Sequence, residues 1–70
     1  MEKRRHYWNG LWGRLARIDI VVFEDADTWV VEHRVGGVEG RVTVTEFDSE
    51  EAALERVRAL MADGDDWREL

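Results

Sequence analysis

Three segments of the chain alternate between apolar and polar residues, which is the pattern of β-strands with two unlike faces. The first covers residues 17–24, and both of its faces become apolar toward its end, so it is predicted to be a central strand. A short acidic turn at residues 25–27 separates it from Thr28–Val35, which predicts an antiparallel hairpin. The glycine-rich residues 36–40 then lead to a third strand, Arg41–Phe47, which completes a three-stranded meander.

A helical pattern follows the third strand. Apolar residues recur there at spacings of three and four and form one stripe, namely Ala53, Leu54, Val57, Leu60 and Met61. Asp48 is predicted to be the N-cap, with Glu51 three residues later completing an acidic capping box. Gly64 lies just beyond the last periodic residue and is predicted to end the helix. Trp67 in the polar tail is predicted to fold back over an edge of the core.

These elements predict an α+β fold in which a three- to four-stranded antiparallel meander carries one C-terminal helix on one face. Residues 17–70 form the single domain, and residues 1–16 form a basic, aromatic N-terminal arm. The arm has apolar residues at helical spacing, namely Tyr7, Trp8, Leu11, Trp12 and Leu15. Gly10 and Gly13 each disfavour a helix by about 1 kcal/mol. The arm is therefore an extra strand, a short helix or a segment that is ordered only on contact.

The sheet face opposite the helix is predicted to be open. Its exposed residues, in one of two registers, are predicted to be Val30, Glu32, Arg34, Arg41, Thr43 and Thr45. A sheet with one uncovered face or a free edge strand offers a surface for recognition or for a homodimer.

The composition limits the chain to one small domain with few kinds of chemistry. Seventy residues allow a single core, and the absence of cysteine excludes disulfides, thiolate zinc sites and catalytic thiols. A secreted domain of this size usually carries disulfides, so we expect a cytoplasmic location. No run of residues is apolar enough for a signal peptide or a membrane span. Nine of the ten basic residues are arginine, which favours a bacterial source with GC-rich coding.

The net charge of −6 is unevenly distributed along the chain. Residues 1–17 carry five basic side chains and one acid (+4), whereas residues 18–70 carry five basic side chains and fifteen acids (−10). The acidic part repels nucleic acid and anionic membranes at long range, whereas the basic arm attracts them. The acidic part either serves solubility alone or mimics nucleic acid in the basic groove of a partner.

Residues suited to catalysis are scarce. Ser49 is the one serine and stands at the predicted helix start, and His33 alternates with the strand residues Val31 and Val35. The histidines lack the spacing of a metal site, and the carboxylates at residues 63–66 lack a calcium-loop pattern. We therefore predict no enzyme activity, no catalytic residue, no cofactor and no metal.

The N-terminal arm interleaves arginine with aromatic residues, which are the residue types that dominate protein–protein hot spots. The same mixture can contact phosphates and stack on bases, or lie on a membrane surface, or complete the core. With two arginines of the strands it defines the candidate partner-binding residues: Arg4, Arg5, Tyr7, Trp8, Trp12, Arg14, Arg34 and Arg41. The predicted function is a small non-enzymatic protein-interaction or regulatory module of a cytosolic bacterial protein or complex.

An alternative function follows from a resemblance. The chain has an aromatic residue early in the second strand (Trp29), a glycine-rich reversal, an aromatic at the end of the third strand (Phe47), an acidic helix start and a later Trp67. In this order of features, residues 16–70 resemble the WGR domain, a small DNA-associated module named for a Trp-Gly-Arg signature after its second strand. At that place this chain has Val35-Gly36-Gly37. The resemblance implies the fold and, as the alternative function, nucleic-acid binding through Arg4, Arg5, Arg14, Arg34 and Arg41.

Overall fold

The computed structural model describes residues 1–12, 16–36, 40–62, 64 and 66–70. Within them the chain forms five strands and one helix: β1 (Glu2–Trp8), β2 (Ile18–Asp25), β3 (Thr28–Val35), β4 (Arg41–Phe47), α1 (Glu50–Met61) and β5 (Arg68–Glu69). Neighbouring strands are antiparallel, and the order across the sheet is β4-β3-β2-β1-β5. The predicted α+β class, an antiparallel sheet with one C-terminal helix, is confirmed. β5 lies outside the prediction because a two-residue segment carries no periodicity.

The N-terminal arm forms the extra strand. β1 pairs with β2, with Tyr7 opposite Ile20 and Trp8 opposite Asp19. A register shift near Arg4 gives this ladder a β-bulge. The helical spacing of the arm does not produce a helix at residues 2–8, since pairing with β2 satisfies the backbone there. Residues 13–15, which include part of the predicted helical stripe, lie outside the described residues.

The core lies between α1 and the central strands. Ile20 and Val22 of β2 and Val31 of β3 are fully buried, together with Ala53 and Val57 of the helix. Half-buried side chains surround this cluster, namely Tyr7, Trp29, Phe47, Leu60, Met61 and Trp67. The predicted packing of the tail tryptophan on the core is therefore confirmed, and α1 covers one face of the sheet.

The helix begins one residue later than the sequence pattern predicts. Ser49, and not Asp48, is the N-cap: its backbone is extended (φ −147°, ψ 157°), and its Oγ accepts the Ala52 N–H at 3.2 Å. Serine and aspartate are both good N-caps and are adjacent here, so the pattern alone does not choose between them. The helix ends at Met61, whose carbonyl accepts the N–H of Gly64 at 3.1 Å, in agreement with the predicted stop.

The pairing of β3 with β4 corrects the predicted exposed face. Val31 lies opposite Thr45, and His33 lies opposite Thr43, so the two threonines share the face that α1 covers. Arg41 alternates with them and lies on the same face. The predicted face is wrong for these three β4 residues, although Arg41 and Thr43 are exposed as predicted. Valine and threonine both suit a sheet, and their alternation does not show which face is inward.

The face without a helix, here called the open face, takes alternate residues from each strand. Its members are His6, Trp8, Asp19, Val21, Phe23, Val30, Glu32, Arg34, Val42, Val44 and Glu46. Val30, predicted to be exposed, is buried because Phe23 and Glu46 lie opposite it on the two neighbouring strands. Val42 and Val44 near the β4 edge are 48% and 57% exposed.

Candidate functional site

One end of the open face carries two tryptophans and two arginines, Trp8, Trp12, Arg17 and Arg68, here called the tryptophan–arginine cluster. Trp8 is the last residue of β1 and is buried (8% exposed), whereas Trp12 is 73% exposed. The two rings meet edge to face, with centroids 4.7 Å apart and an interplanar angle of 62°. Aromatic pairs favour this geometry, so the exposed ring has a defined orientation.

Hydrogen bonds of Asn9 close the loop that follows β1. Its Oδ1 accepts the N–H groups of Ile18 at 3.1 Å and Leu11 at 3.3 Å. Its Nδ2 donates to the carbonyl of Ala16 at 2.8 Å. The Nε1–H of Trp8 donates to the Leu11 carbonyl at 2.8 Å. Together these bonds hold the loop that carries the second tryptophan against the start of β2.

Arg17 joins the two indole rings. Its guanidinium carbon lies 5.2 Å from the ring centroid of Trp8 and 5.3 Å from that of Trp12, within the range of cation–π contacts. Two hydrogen bonds to Asp19 fix the plane of the group: Nε donates to Oδ2 at 2.9 Å, and Nη2 donates to Oδ1 at 3.1 Å. A cation of fixed orientation therefore contacts both rings.

Asp19 is the buried anchor of this arrangement. It is 6% exposed, and its Oδ1 also lies 2.8 Å from Nε2 of His6. Hydrogen bonds with Arg17, and then with His6, hold the pKa of the Asp19 carboxyl below its ordinary value of 3.8, although burial opposes this. The carboxylate is therefore charged near neutral pH, and it orients the guanidinium group that contacts both rings.

The second arginine of the cluster comes from the other end of the chain. Arg68 in β5 lies opposite Trp8 in β1, and its guanidinium carbon is 5.9 Å from the Trp8 ring centroid. Within the described part of the chain, no carboxylate lies at ion-pair distance from Arg68. The N-terminal arm and the C-terminal strand thus supply the cluster jointly.

The structure brings together two of the eight predicted partner-binding residues, Trp8 and Trp12. Tyr7 lies on the helix-covered face and packs against the core. Arg41 lies at the far edge of the sheet, also on the helix side. Arg14 lies outside the described residues.

The other three predicted residues are arginines that pair with carboxylates of this chain. The closest distances are 2.7 Å for Arg4–Glu24, 3.1 Å for Arg5–Glu69 and 2.7 Å for Arg34–Glu32. Such exposed pairs contribute little to stability, but they offset the positive charge of each arginine locally. The described arginines therefore do not form one continuous basic surface.

Sequence reasoning misses the residues that organise the cluster. Arg17 and Asp19 are two apart at the start of β2, so their ion pair on one face is predictable from the period of a strand. The contributions of His6 and Arg68 depend on how β1 pairs with β2 and with β5. No local pattern shows those two registers.

A pocket of ≈ 480 Å³ lies on the helix-covered side. Its walls include Leu11 of the loop, Leu60 of α1 and Trp67 of the tail, and His33 of β3 reaches into it. Burial, and then the charge of Arg56, lower the pKa of His33 below its ordinary value of 6.5. The imidazole is therefore neutral at pH 7, in a pocket that Asn9 and Asp66 also line.

Comparison with known proteins does not assign this chain to a family. No protein-family model matches it, and no curated protein or solved structure is significantly similar to it. Within the described ranges, no group of three or more histidine, aspartate or glutamate side chains could hold a metal ion. The same part of the chain has no helix that is long and apolar enough to cross a membrane.

Proposed function

We propose that this chain is a small non-enzymatic protein-interaction module and that the tryptophan–arginine cluster is its partner-binding surface. The observation that carries the proposal is Trp12, whose side chain is 73% exposed although a second ring and a guanidinium group fix its position. Tryptophans are highly buried on average, so an exposed and ordered indole is unusual for a purely structural residue. Tryptophan and arginine are also the residue types enriched at binding hot spots.

Burial of the Trp12 ring by a partner is the main source of binding free energy in this proposal. Covering on the order of 150 Å² of a tryptophan side chain contributes about 4 kcal/mol. Because Trp8 and Arg17 already restrict the ring, binding loses less side-chain entropy than it would with a mobile indole. The cluster is therefore organised before the partner arrives.

The charges of the cluster indicate which partner groups would lie around the Trp12 contact. Asp19 offsets the charge of Arg17, whereas Arg68 has no carboxylate at ion-pair distance among the described residues. A partner that carries an apolar side chain next to a carboxylate would fit this surface. The apolar side chain would pack on Trp12, and the carboxylate would pair with Arg68. Such a pair at the rim contributes more to association rate and specificity than to affinity.

Nucleic-acid binding in the manner of a WGR domain is the second candidate, and the exposed indole favours it too, because an indole beside arginines can stack on a base. The ion pairs of the arginines favour protein binding instead. Arg4, Arg5 and Arg34 would each have to leave a carboxylate before contacting phosphate. The net charge of −6 also opposes approach to a polyanion.

Affinity capture from an extract of the source cells tests the proposal. The baits are the full chain, a Trp12→Ala variant and an Asp27→Ala control, each with and without nuclease. Asp27 is exposed in the turn between β2 and β3, at the end of the sheet away from the cluster. We expect a protein that the full chain and Asp27→Ala retain after nuclease treatment and that Trp12→Ala loses. Equal retention by all three baits would contradict the proposed surface.

Direct titration separates the two candidate functions. The probes are labelled duplex, nicked and single-stranded DNA, and RNA, at low salt. Protein binding predicts no association with any of them. Association that weakens steeply with added salt would instead establish the WGR-like alternative, because such a dependence reports contacts to phosphate.

A further inference from the structure

β4 is a long free edge of the sheet. Among the described residues it pairs with β3 alone, over seven residues and without a register shift. The opposite edge differs: β5 has two residues, and β1 beside it carries a bulge. Natural sheets usually block a long edge with charged side chains, proline, a bulge or a short strand. β4 carries charges only toward its ends, at Arg41 and Glu46, and its middle residues 42–45 have none of these features. Its edge can therefore serve as a template for another strand.

The alternation of the ladders shows which residues of β4 have outward backbone groups. The carbonyl of Arg17, directly before β2, accepts the N–H of Gly36 at 2.9 Å, whereas the carbonyl of Ile18 accepts from the β1 side at 3.1 Å. Odd-numbered residues of β2 therefore bond toward β3. Through the observed registers, odd-numbered residues of β4 bond to β3. The N–H and C=O groups of Val42 and Val44 consequently point outward.

We propose that two copies of this chain pair through β4 in antiparallel register, with Thr43 on the two-fold axis and Val42 of one copy opposite Val44 of the other. This register joins the outward backbone groups of both strands in hydrogen-bonded pairs. It also places four half-exposed valines side by side on the open face, where they cover one another. A register centred on Val44 would instead set Glu46 opposite Val42.

The two-fold axis also sets the direction of the helices. The axis is perpendicular to the sheet, so the two helices lie on the same face and run antiparallel. α1 packs over β3 and β4 and carries Glu50 and Glu51 in its first turn and Arg58 in its last. The two acidic first turns therefore point in opposite directions, which limits the repulsion between two chains of charge −6.

The paired sheet has ten strands and carries one tryptophan–arginine cluster near each of its outer edges. The clusters lie on β1, β2 and β5, away from the proposed interface, so the dimer neither needs nor blocks them. A partner with two copies of its own binding segment would gain affinity from such a bivalent arrangement.

Single cysteines test the register, because the chain has none of its own. With Thr43 on the axis, Thr43→Cys creates a non-hydrogen-bonded pair whose Cα atoms are about 4.5 Å apart, within disulfide range. Thr45→Cys is the matched control, since residue 45 lies opposite residue 41 of the other copy and its two thiols are about 13 Å apart along the strand. We expect mild oxidation to give a covalent dimer of Thr43→Cys and not of Thr45→Cys; the reverse overturns the register.

Sedimentation at rising protein concentration tests the dimer itself. We expect the full chain to dimerise, Val44→Lys to stay monomeric, and Leu70→Lys to dimerise, because Leu70 is 63% exposed near the opposite edge. A monomeric full chain, or a dimer that Val44→Lys does not disturb, overturns the proposal. Trp12→Ala should leave sedimentation unchanged. Failure of the dimer is therefore distinguishable from failure of the proposed recognition surface.

Discussion

A Trp8→Ala variant is expected to lose about 3 kcal/mol of its free energy of unfolding, because truncating a buried tryptophan leaves a cavity and removes its contacts. The ring is 8% exposed, touches Trp12, Arg17 and Arg68, and donates its N–H to a backbone carbonyl. A domain of this length has a total free energy of unfolding of roughly 4–10 kcal/mol, so the loss is large. Urea unfolding at one low protein concentration measures it.

Trp12→Ala is the matched control, since it makes the same chemical change at a ring that is 73% exposed. We expect it to lower the free energy of unfolding by no more than about 1 kcal/mol, as for most surface substitutions. The two substitutions should therefore have different effects: Trp8→Ala lowers stability, whereas Trp12→Ala removes partner binding. Similar losses of stability in both variants would contradict that division.

An Asp19→Asn variant is expected to lose about 2 kcal/mol of its free energy of unfolding, because the charged acceptor of Arg17 and His6 is removed. The side chains of Arg17 and His6 are 27% and 22% exposed, so water replaces part of what they lose. The cost therefore stays below that of breaking a fully buried ion pair. Glu24→Gln is the control: it breaks an exposed pair with Arg4 and should change stability by less than about 1 kcal/mol.

The effect of Asp19→Asn should depend on pH with a definite sign. The folded-state pKa of Asp19 lies below its ordinary value of 3.8, so its charge stabilises the fold above that value. This stabilisation is lost as the pH falls through the folded-state pKa. The difference between the parent chain and the variant should be fully present at about pH 5 and shrink below about pH 4. A difference that persists undiminished in acid would contradict the ionised anchor.

Most of the fold could be predicted from the sequence because its elements are long enough to show their period. The predicted strands differ from β2, β3 and β4 by no more than one residue at an end, and the helix differs by one residue at its start. Residues that favour turns or helix starts mark the boundaries between elements. Acidic residues precede Thr28, glycines precede Arg41, and a capping residue precedes Glu50. The local pattern does not show which of two adjacent capping residues starts the helix. It also does not show which face of β4 is inward, because valine and threonine suit both faces.

The candidate site could be predicted only in part, because it forms from both ends of the chain. Trp8 and Trp12 stand out by residue type and spacing. Their arrangement depends on Asp19, whose burial follows from pairing with β1, and on Arg68, which reaches the cluster through a two-residue strand. Such long-range registers result from packing of the whole sheet. Alternation within a single segment does not contain them.

Photo-cross-linking from two positions of the full chain measures most directly where the partner binds. A photoreactive phenylalanine analogue replaces either Leu70, two residues beyond Arg68 and 63% exposed, or Arg58, which is exposed on α1. We predict a partner adduct from position 70 that disappears when Trp12→Ala is added, and none from position 58. An adduct from position 58 without one from position 70 would place the partner on the helix side and contradict the proposed binding surface.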